Sequence, residues 1–589
     1  MSETKHTWSV STSPRNPYKL SDELALLARF EGKKWDSKIQ EQYARLLAKS
    51  GFFEGKIYEK EPSFSARDRI NRSPKTLGFV RFDDEKKIQI TPAGRRLIEK
   101  RRLDDLFLRQ LLKWQYPSPK HWDERYKDFR IKPFLEILRL VYDLDGLSKR
   151  EIAMFGITLI DYQNYEGTKK EILDFRKNIE SIKNSRDKKA LAIKTHLAKY
   201  VALYLVDINK GSITLRQRKG RKPSIDDFVK TKMRNSIDYA DAAIRYFRAT
   251  GLFTISGRTY RLEILDTKTR IVRTILKTFP REPEEYEKSP SVFLDFLGNS
   301  NLPSLPEDDV GVLREEIIAL VVKIRSASGK LPKPDETYSM GKLTTLMIDE
   351  LWGLKTELEQ VLQSALINEE VKALQTYKLY PDIIGVFNKI QDRGDIDIPE
   401  KPLFFEWNTW RALNMLDDGN IIGNLSIDND GRPLHNAPPK LPDLVCYYNN
   451  FVLVVEVTLS TGARQYDSEG EPVARHLGDV VEVLRTNADK RPVFGLFLAP
   501  SINPSVVALF FVLRKTNVVH YGGKAQIIPL NLDAFKKILD HAYNEGGVEA
   551  EQIYSFLKWA SSIADNFDNE TEWFNTIIQT SSKWTNLTP

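Results

Sequence analysis

Leu441-Pro442-Asp443-Leu444-Val445-Cys446-Tyr447-Tyr448-Asn449-Asn450-Phe451-Val452-Leu453-Val454-Val455-Glu456-Val457-Thr458 decides how the C-terminal part of this chain folds. Two apolar runs rich in Val, Tyr and Phe flank Asn449-Asn450, and Asn-Asn suits the two positive-φ positions of a type I′ turn, so a tight hairpin is predicted. A two-residue loop pairs Tyr448 with Phe451, Tyr447 with Val452, Cys446 with Leu453, Val445 with Val454 and Leu444 with Val455, and sets Asp443 opposite Glu456. Directly opposed residues have Cβ atoms about 4.5–5.5 Å apart, where like charges are destabilising. Val452 to Val455 is apolar on both faces, which points to a buried strand where an unpaired charge is costly. A divalent cation such as Mg²⁺ relieves the repulsion, because hard ions are held by one or two carboxylates while waters and substrate phosphates fill the other positions. The alternative is a surface hairpin with Asp443 in the entering turn and Glu456 solvated.

The same spacing resembles the PD-(D/E)xK nuclease pattern, with Glu456-Val457-Thr458 in its last three positions. Thr458 stands where the pattern has Lys, and a hydroxyl cannot orient water or stabilise phosphorane charge as an ammonium does. Acidic candidates for compensation are Glu406 upstream, and Glu469 and Glu471 in Asp467-Ser468-Glu469-Gly470-Glu471-Pro472 downstream.

At 589 residues the chain is too long for one core, and two to four domains are expected. No stretch approaches the ~20 apolar residues that span a bilayer, and Met1 to Val10 has no apolar leader core. The single Cys446 excludes an internal disulfide and cysteine-type zinc sites. These features suggest a cytoplasmic protein with no membrane partner. The net charge of +8 hides an asymmetry: residues 1–280 carry 60 basic and 36 acidic side chains, against 29 and 45 in the remainder. A surplus of that size on one half attracts a polyanion by counterion release, without conferring sequence preference.

Within that basic half, two segments have the pattern of winged helix-turn-helix modules. In the first, the helix Glu41 to Ser50 precedes strands at Lys75 to Phe82 and Ile88 to Ile90, then a helix capped by Thr91 with Pro92 at its first position. In the second, Leu147 to Phe155 reads as a capped helix. Farther on, a helix from Ser236 to Thr250 ends at Gly251, and strands Leu252 to Ile255 and Thr259 to Leu262 flank a turn at Ser256-Gly257. Candidate DNA contacts are Arg67, Arg69, Arg72 and Lys75, then Arg216, Arg218, Lys219, Arg221 and Lys222 in a phosphate-contacting loop. Arg234 and Asn235 suit guanine and adenine edges. Between Pro280 and Glu400, an acidic, Pro-rich stretch and Leu-rich helices read as a hinge and helical spacer. Beyond Pro381-Asp382, helices near Val473 to Thr486 and Ser505 to Leu513 alternate with strands Val493 to Leu498 and Gln526 to Leu530, an α/β core around the hairpin.

Taken in order, several motifs resemble the AlwI and BstNBI family of type IIS restriction and nicking endonucleases, the large nicking subunit included. They are Trp8 with Ser13-Pro14-Arg15, Phe30-Glu31-Gly32, Phe64 to Arg69, Lys113 to Ser118, Ile152 to Phe155, Thr231 to Asn235, Arg245 to Arg248, and Thr250 to Phe253. The C-terminal half adds Glu406-Trp407, Pro442-Asp443, Glu456-Val457-Thr458, Gly462-Ala463 with Gln465, and Glu471-Pro472-Val473 with Arg475-His476.

This resemblance implies a multidomain α+β protein. Winged-helix-like recognition subdomains would occupy residues 1–140 and 141–285, a helical linker 286–380, and a PD-(D/E)xK nuclease domain 381–589. It maps an acidic active-site set onto Glu406, Asp443, Glu456 and Glu469, with Mg²⁺ on Asp443 and Glu456, and it adds Arg15 to the DNA contacts. Thr458 departs from the general pattern but not from this family. His476 is either a general base or, near a helix start, a structural or phosphate-contacting residue. Implied partners are double-stranded DNA and, for double-strand cleavage, a second copy or a small nuclease subunit. A different-class alternative is a DNA-binding regulator carrying a degenerate nuclease fold.

Overall fold

The computed structural model describes residues 4–50, 61–121, 123–213, 215, 224–392, 394–416, 419–438 and 440–586. The chain divides into two compact units, residues 1–321 with 333–356, and residues 322–332 with 357–589. It is a helix-rich α+β protein, and no described helix is long and apolar enough to cross a membrane.

In the first unit, strands Val80–Phe82 and Ile88–Ile90 pair antiparallel, with Val80 opposite Ile90. Helix Pro92–Ile98 follows, and its N-cap Thr91 accepts from the Gly94 amide at 3.0 Å as expected. The expected strand from Lys75 starts only at Val80, because Ser73–Thr76 is a helical turn. Gly78 then turns the chain at φ 72°, where a Cβ would meet the Leu297 carbonyl at 2.5 Å. Ser148 caps as predicted, in a full capping box with Glu151, but the α-helix covers only Lys149–Glu151 and continues as a π-helix over Ile152–Gly156.

Helix Ile225–Arg248 is longer than the sequence pattern indicated, and Gly251 at φ 68° follows its end. Phe253 pairs with Ile264 and Ile255 with Leu262, so the second strand is Leu262–Ile264, later than predicted. Leu262 is held there by reciprocal backbone bonds with Leu147 at 2.8 and 3.0 Å, a tie between positions 115 residues apart that local pattern cannot show.

The Pro-rich stretch read as a hinge is docked within this unit. Its helix Pro290–Gly298 presents Phe293 and Leu297 to Tyr286. The buried Lys113 donates to the Phe296, Leu297 and Asn299 carbonyls, and Arg109 to those of Asn301 and Pro303. Gln115 bonds both the amide and the carbonyl of Glu284. Hydrogen-bonding side chains of Leu103–Lys113 and its C-terminal flank hold a segment whose composition alone suggests solvent.

The second unit is built on a five-stranded mixed sheet in the order Ile527–Asn531, Val493–Ala499, Val452–Val457, Leu444–Tyr447, Asn420–Gly423. The first three are parallel and the rest antiparallel. The hairpin register is as predicted, from Leu444 opposite Val455 to Tyr447 opposite Val452. Its turn is not type I′: neither Asn449 nor Asn450 has positive φ. The Tyr448 backbone amide donates to the Phe451 carbonyl at 3.0 Å, while the Tyr448 carbonyl accepts from Arg491 and the Asn450 side-chain Nδ2 donates to Glu551 at 2.7 Å. Tertiary partners therefore hold this turn in place of the local geometry that Asn-Asn favours.

Helices Lys401–Leu416 and Ala463–Thr486 both pack on this sheet. The latter begins ten residues before the predicted start and carries Pro472 in its interior. Proline lacks the N–H that would bond back to the Ser468 carbonyl. Packing of Val473, Ala474 and Leu477, all buried, offsets that loss.

Candidate active site

Asp443 precedes the strand Leu444–Tyr447, and Glu456 is the penultimate residue of the strand beside it. One step beyond the Leu444–Val455 pair, the Val457 amide donates to Asp443 Oδ2 at 2.8 Å. The Asp443 amide in turn faces the Glu456 carboxylate. The backbone at the open end of the hairpin thus holds the two acids together, as the register requires.

Helix Lys401–Leu416 brings in Glu406, which is buried. Its Oε1 accepts from Asn436, and its Oε2 has no hydrogen-bond partner. From the opposite flank, helix Ala463–Thr486 supplies Glu469 and His476, seven residues apart and so on one helical face. Glu469 Oε1 accepts from the Thr458 hydroxyl at 2.8 Å and from those of Ser460 and Ser468 at 3.2 Å. His476 Nδ1 lies 2.6 Å from Glu456 Oε1, and its Nε2 is buried without a partner. Gln465, fully buried on the same helix, bonds the Ser460 and Ser501 carbonyls and the Asn503 amide, locking the helix start to two loops.

Three carboxyls are pushed well above the usual carboxylate range. For Glu406 the causes are burial first and then Asp443; for Asp443, burial and then Glu456; for Glu456, burial and then Glu469 and Glu406. The His476 imidazole is pushed down, by burial and then by Arg475. The groups bonded to the four acids are Asn436, Thr458, Ser460, Ser468, His476 and backbone amides, and none is a lysine or arginine.

Such a crowd of oxygen donors, one of them an orphaned buried carboxylate atom, fits a hard divalent cation. Among the described residues no group of three or more His, Cys, Asp and Glu is arranged as a metal cage. Asp443 and Glu456 are the adjacent pair that could hold such a cation, with other oxygens completing its shell.

All four predicted acids converge, and Glu471 instead pairs with Arg475 at 3.3 Å. Asn436 and Gln465 went unassigned a role by sequence reasoning. Asn436 lies 30 residues from Glu406 in no periodic element, so no local signal marks it. The seven-residue step from Glu469 to His476 is legible once Pro472 is allowed inside the helix.

Among the basic candidates of the first unit, Arg69 is committed to a buried ion pair with Glu23, and it also donates to Ser13 at 3.1 Å. Arg67 pairs with Glu61 at 3.3 Å, and Arg15 with Asp238 at 3.0 Å. Arg72 pairs with Asp68 at 2.7 Å, and Lys75 lies over the Phe82 ring at 5.4 Å. Arg234 is exposed and Asn235 half-buried, one turn before Asp238. The ion pair with Asp238 ties Arg15 to helix Ile225–Arg248, which also carries Arg234. Arg216, Arg218, Lys219, Arg221 and Lys222 lie outside the described residues.

Solved structures similar to this chain include the small subunit of the heterodimeric restriction endonuclease R.BspD6I. It shares 26% identity over 34% of this chain and 98% of its own, with a TM-score of 0.29. The BpuJ1 endonuclease binding domain, in complex with pyrene- and phenanthrene-modified DNA, shares 14% identity over 50% of this chain and 96% of its own, with a TM-score of 0.30. No curated protein matches the chain. A sequence model of the AlwI restriction endonuclease family matches residues 75–538, most of the chain. This protein belongs to the AlwI restriction endonuclease family.

Proposed function

We propose that the chain is a sequence-specific type IIS DNA endonuclease. It reads a short asymmetric duplex site through winged-helix-like modules in residues 1–285 and hydrolyses a phosphodiester a few bases outside that site with a PD-(D/E)xK centre in residues 381–589. Each monomer nicks one strand, and double-strand cleavage requires a second copy or a small nuclease subunit. The observation that carries this reading is the convergence of Asp443 and Glu456 at the open end of one hairpin, with Glu406 and Glu469 brought alongside by two helices.

Asp443 and Glu456 are the residues that would hold Mg²⁺, which when bound supplies Lewis-acid polarisation of the scissile phosphate and eases ionisation of the attacking water. Both carboxylates are half-buried, which strengthens the charge interactions made there relative to open water. His476 Nδ1 fixes one oxygen of Glu456. Thr458 and Ser460 fix Glu469, which would orient the nucleophile without an ammonium at position 458.

The test is conversion of supercoiled plasmid by the purified full chain with Mg²⁺ and with EDTA. Magnesium-dependent nicking at a fixed offset from one short sequence is the expected result. Specific duplex binding with plasmid left intact at all divalent concentrations would instead make the chain a DNA-binding regulator.

A further inference from the structure

The first unit holds a cleft of about 210 Å³ between the N-terminal strap, the Arg72–Leu77 segment, the loop at Lys120 and helix Ile225–Arg248. Its walls carry the hydroxyls of Ser11, Thr12, Ser73, Thr76 and Tyr239 and the cations of Arg72 and Lys120. Lys120 donates to Thr76 Oγ1 at 2.8 Å and to the Arg72 carbonyl at 3.4 Å. An ammonium has three donors, so one remains for a ligand. Arg72 reaches Thr12 Oγ1 at 3.4 Å while its other terminal nitrogen pairs with Asp68 at 2.7 Å.

The charge around Lys120 is unbalanced. Lys75 and Arg72 act on it as cations, Asp68 acts on it as a carboxylate, and the adjacent His121 is held neutral by burial and by Lys120 itself. Burial and these cations push the Lys120 ammonium down to about 7. Two cations and a row of hydroxyls converging on a small cleft are complementary to a tetrahedral anion with several acceptor oxygens. Most protein–DNA hydrogen bonds go to phosphate and sugar, from such side chains.

We infer that this cleft clamps one backbone phosphate of the bound duplex, with Lys120 and Arg72 as its charged contacts and Thr76 and Tyr239 as neutral ones. The inference deepens the proposed DNA recognition and rests on it. It makes Lys120 a positioning contact that sets register on the duplex and reads no base.

The full-length protein and its Lys120→Gln and Lys120→Arg variants should be compared on a duplex carrying the chain's mapped cleavage site. Each variant is first checked for an unchanged circular-dichroism spectrum. Lys120→Gln should weaken binding several-fold and flatten the dependence of log affinity on log salt by about 0.9, one phosphate contact. Lys120→Arg should keep most of both. Replacing backbone phosphates one at a time with neutral methylphosphonates should reveal one position that weakens wild-type binding but leaves Lys120→Gln indifferent. A folded Lys120→Gln variant with an unchanged salt slope, or with no such position, overturns the clamp. Saturable binding of inorganic phosphate at Lys120 together with an unchanged slope would assign the cleft to a free anion and overturn it too. Failure of wild-type protein to bind any duplex would overturn the nuclease reading itself, which separates the two failures.

Discussion

The Thr458 hydroxyl donates to Glu469 Oε1 at 2.8 Å, so the position where the general nuclease pattern carries an ammonium holds a neutral donor that serves another acid. Thr458 Oγ1 also accepts from the Ser460 amide at 3.0 Å, which folds the end of strand Val452–Val457 into the loop before helix Ala463–Thr486.

Thr458→Val keeps the shape of the side chain and removes both bonds. Leaving Glu469 and the Ser460 amide short of a partner should destabilise the fold by about 1–2 kcal/mol. Cleavage should fall about tenfold or more with duplex affinity unchanged, and Thr458→Ser should restore most of it. Wild-type cleavage by Thr458→Val would remove Glu469 from the reaction.

Asp443→Ala and Glu456→Ala should each reduce plasmid nicking by about 10³-fold or more, equivalent to about 4 kcal/mol of transition-state stabilisation. Gel shifts on the same duplex should change by less than about threefold, because recognition is assigned to the other end of the chain. A variant that nicks normally would exclude the two-carboxylate metal site.

Glu406, Asp443 and Glu456 all bind protons more tightly in the folded protein than in the unfolded chain. Without a divalent cation, folding then takes up protons, so stability is greatest near the ordinary carboxylate range and declines as pH rises toward the raised folded values. In EDTA, Tm should fall between about pH 5 and pH 8. Adding Mg²⁺ should recover more at the alkaline end, and Asp443→Asn should flatten the profile. A Tm that rises over that interval in EDTA, for wild type but not for Asp443→Asn, would contradict the assignment.

Gln465→Ala removes three hydrogen bonds at a fully buried site and strands their backbone partners. A loss of about 2–4 kcal/mol is expected from denaturant unfolding of the C-terminal unit. Cleavage should drop even below the unfolding midpoint, since the helix carrying Glu469 and His476 loses its anchor. Unchanged stability would mean that water replaces the amide.

One hairpin centre cannot address two antiparallel phosphodiesters in the same orientation. Supercoiled plasmid with one recognition site should therefore accumulate as open circle at low protein concentration, before any linear form. Linear product made without a nicked intermediate, by protein that stays monomeric on DNA, would overturn the one-strand reading.

Much of the centre is legible in the sequence, because the side-chain period of a strand is two and a two-residue loop admits one register. Leu444 opposite Val455 follows from counting outward from Asn449-Asn450, and Asp443 beside Glu456 follows from that. The caps at Thr91 and Ser148 are equally local, since a hydroxyl satisfies an amide three residues on.

What the tertiary structure alone decided is set by partners remote in the chain. Arg491 takes the Tyr448 carbonyl and the hairpin turn departs from the type that Asn-Asn favours. Leu147 moves a predicted strand by pairing with Leu262, and Lys113, Arg109 and Gln115 hold a stretch whose prolines and acids suggested a hinge. Asn436 reaches Glu406 across 30 residues, and Glu469 enters through a helix that local rules would stop at Pro472. Sequence by itself determined the pairs whose geometry is a short-range count of residues. The rest depended on burial energies and hydrogen bonds between distant segments, which outweigh local preferences of about 1 kcal/mol each.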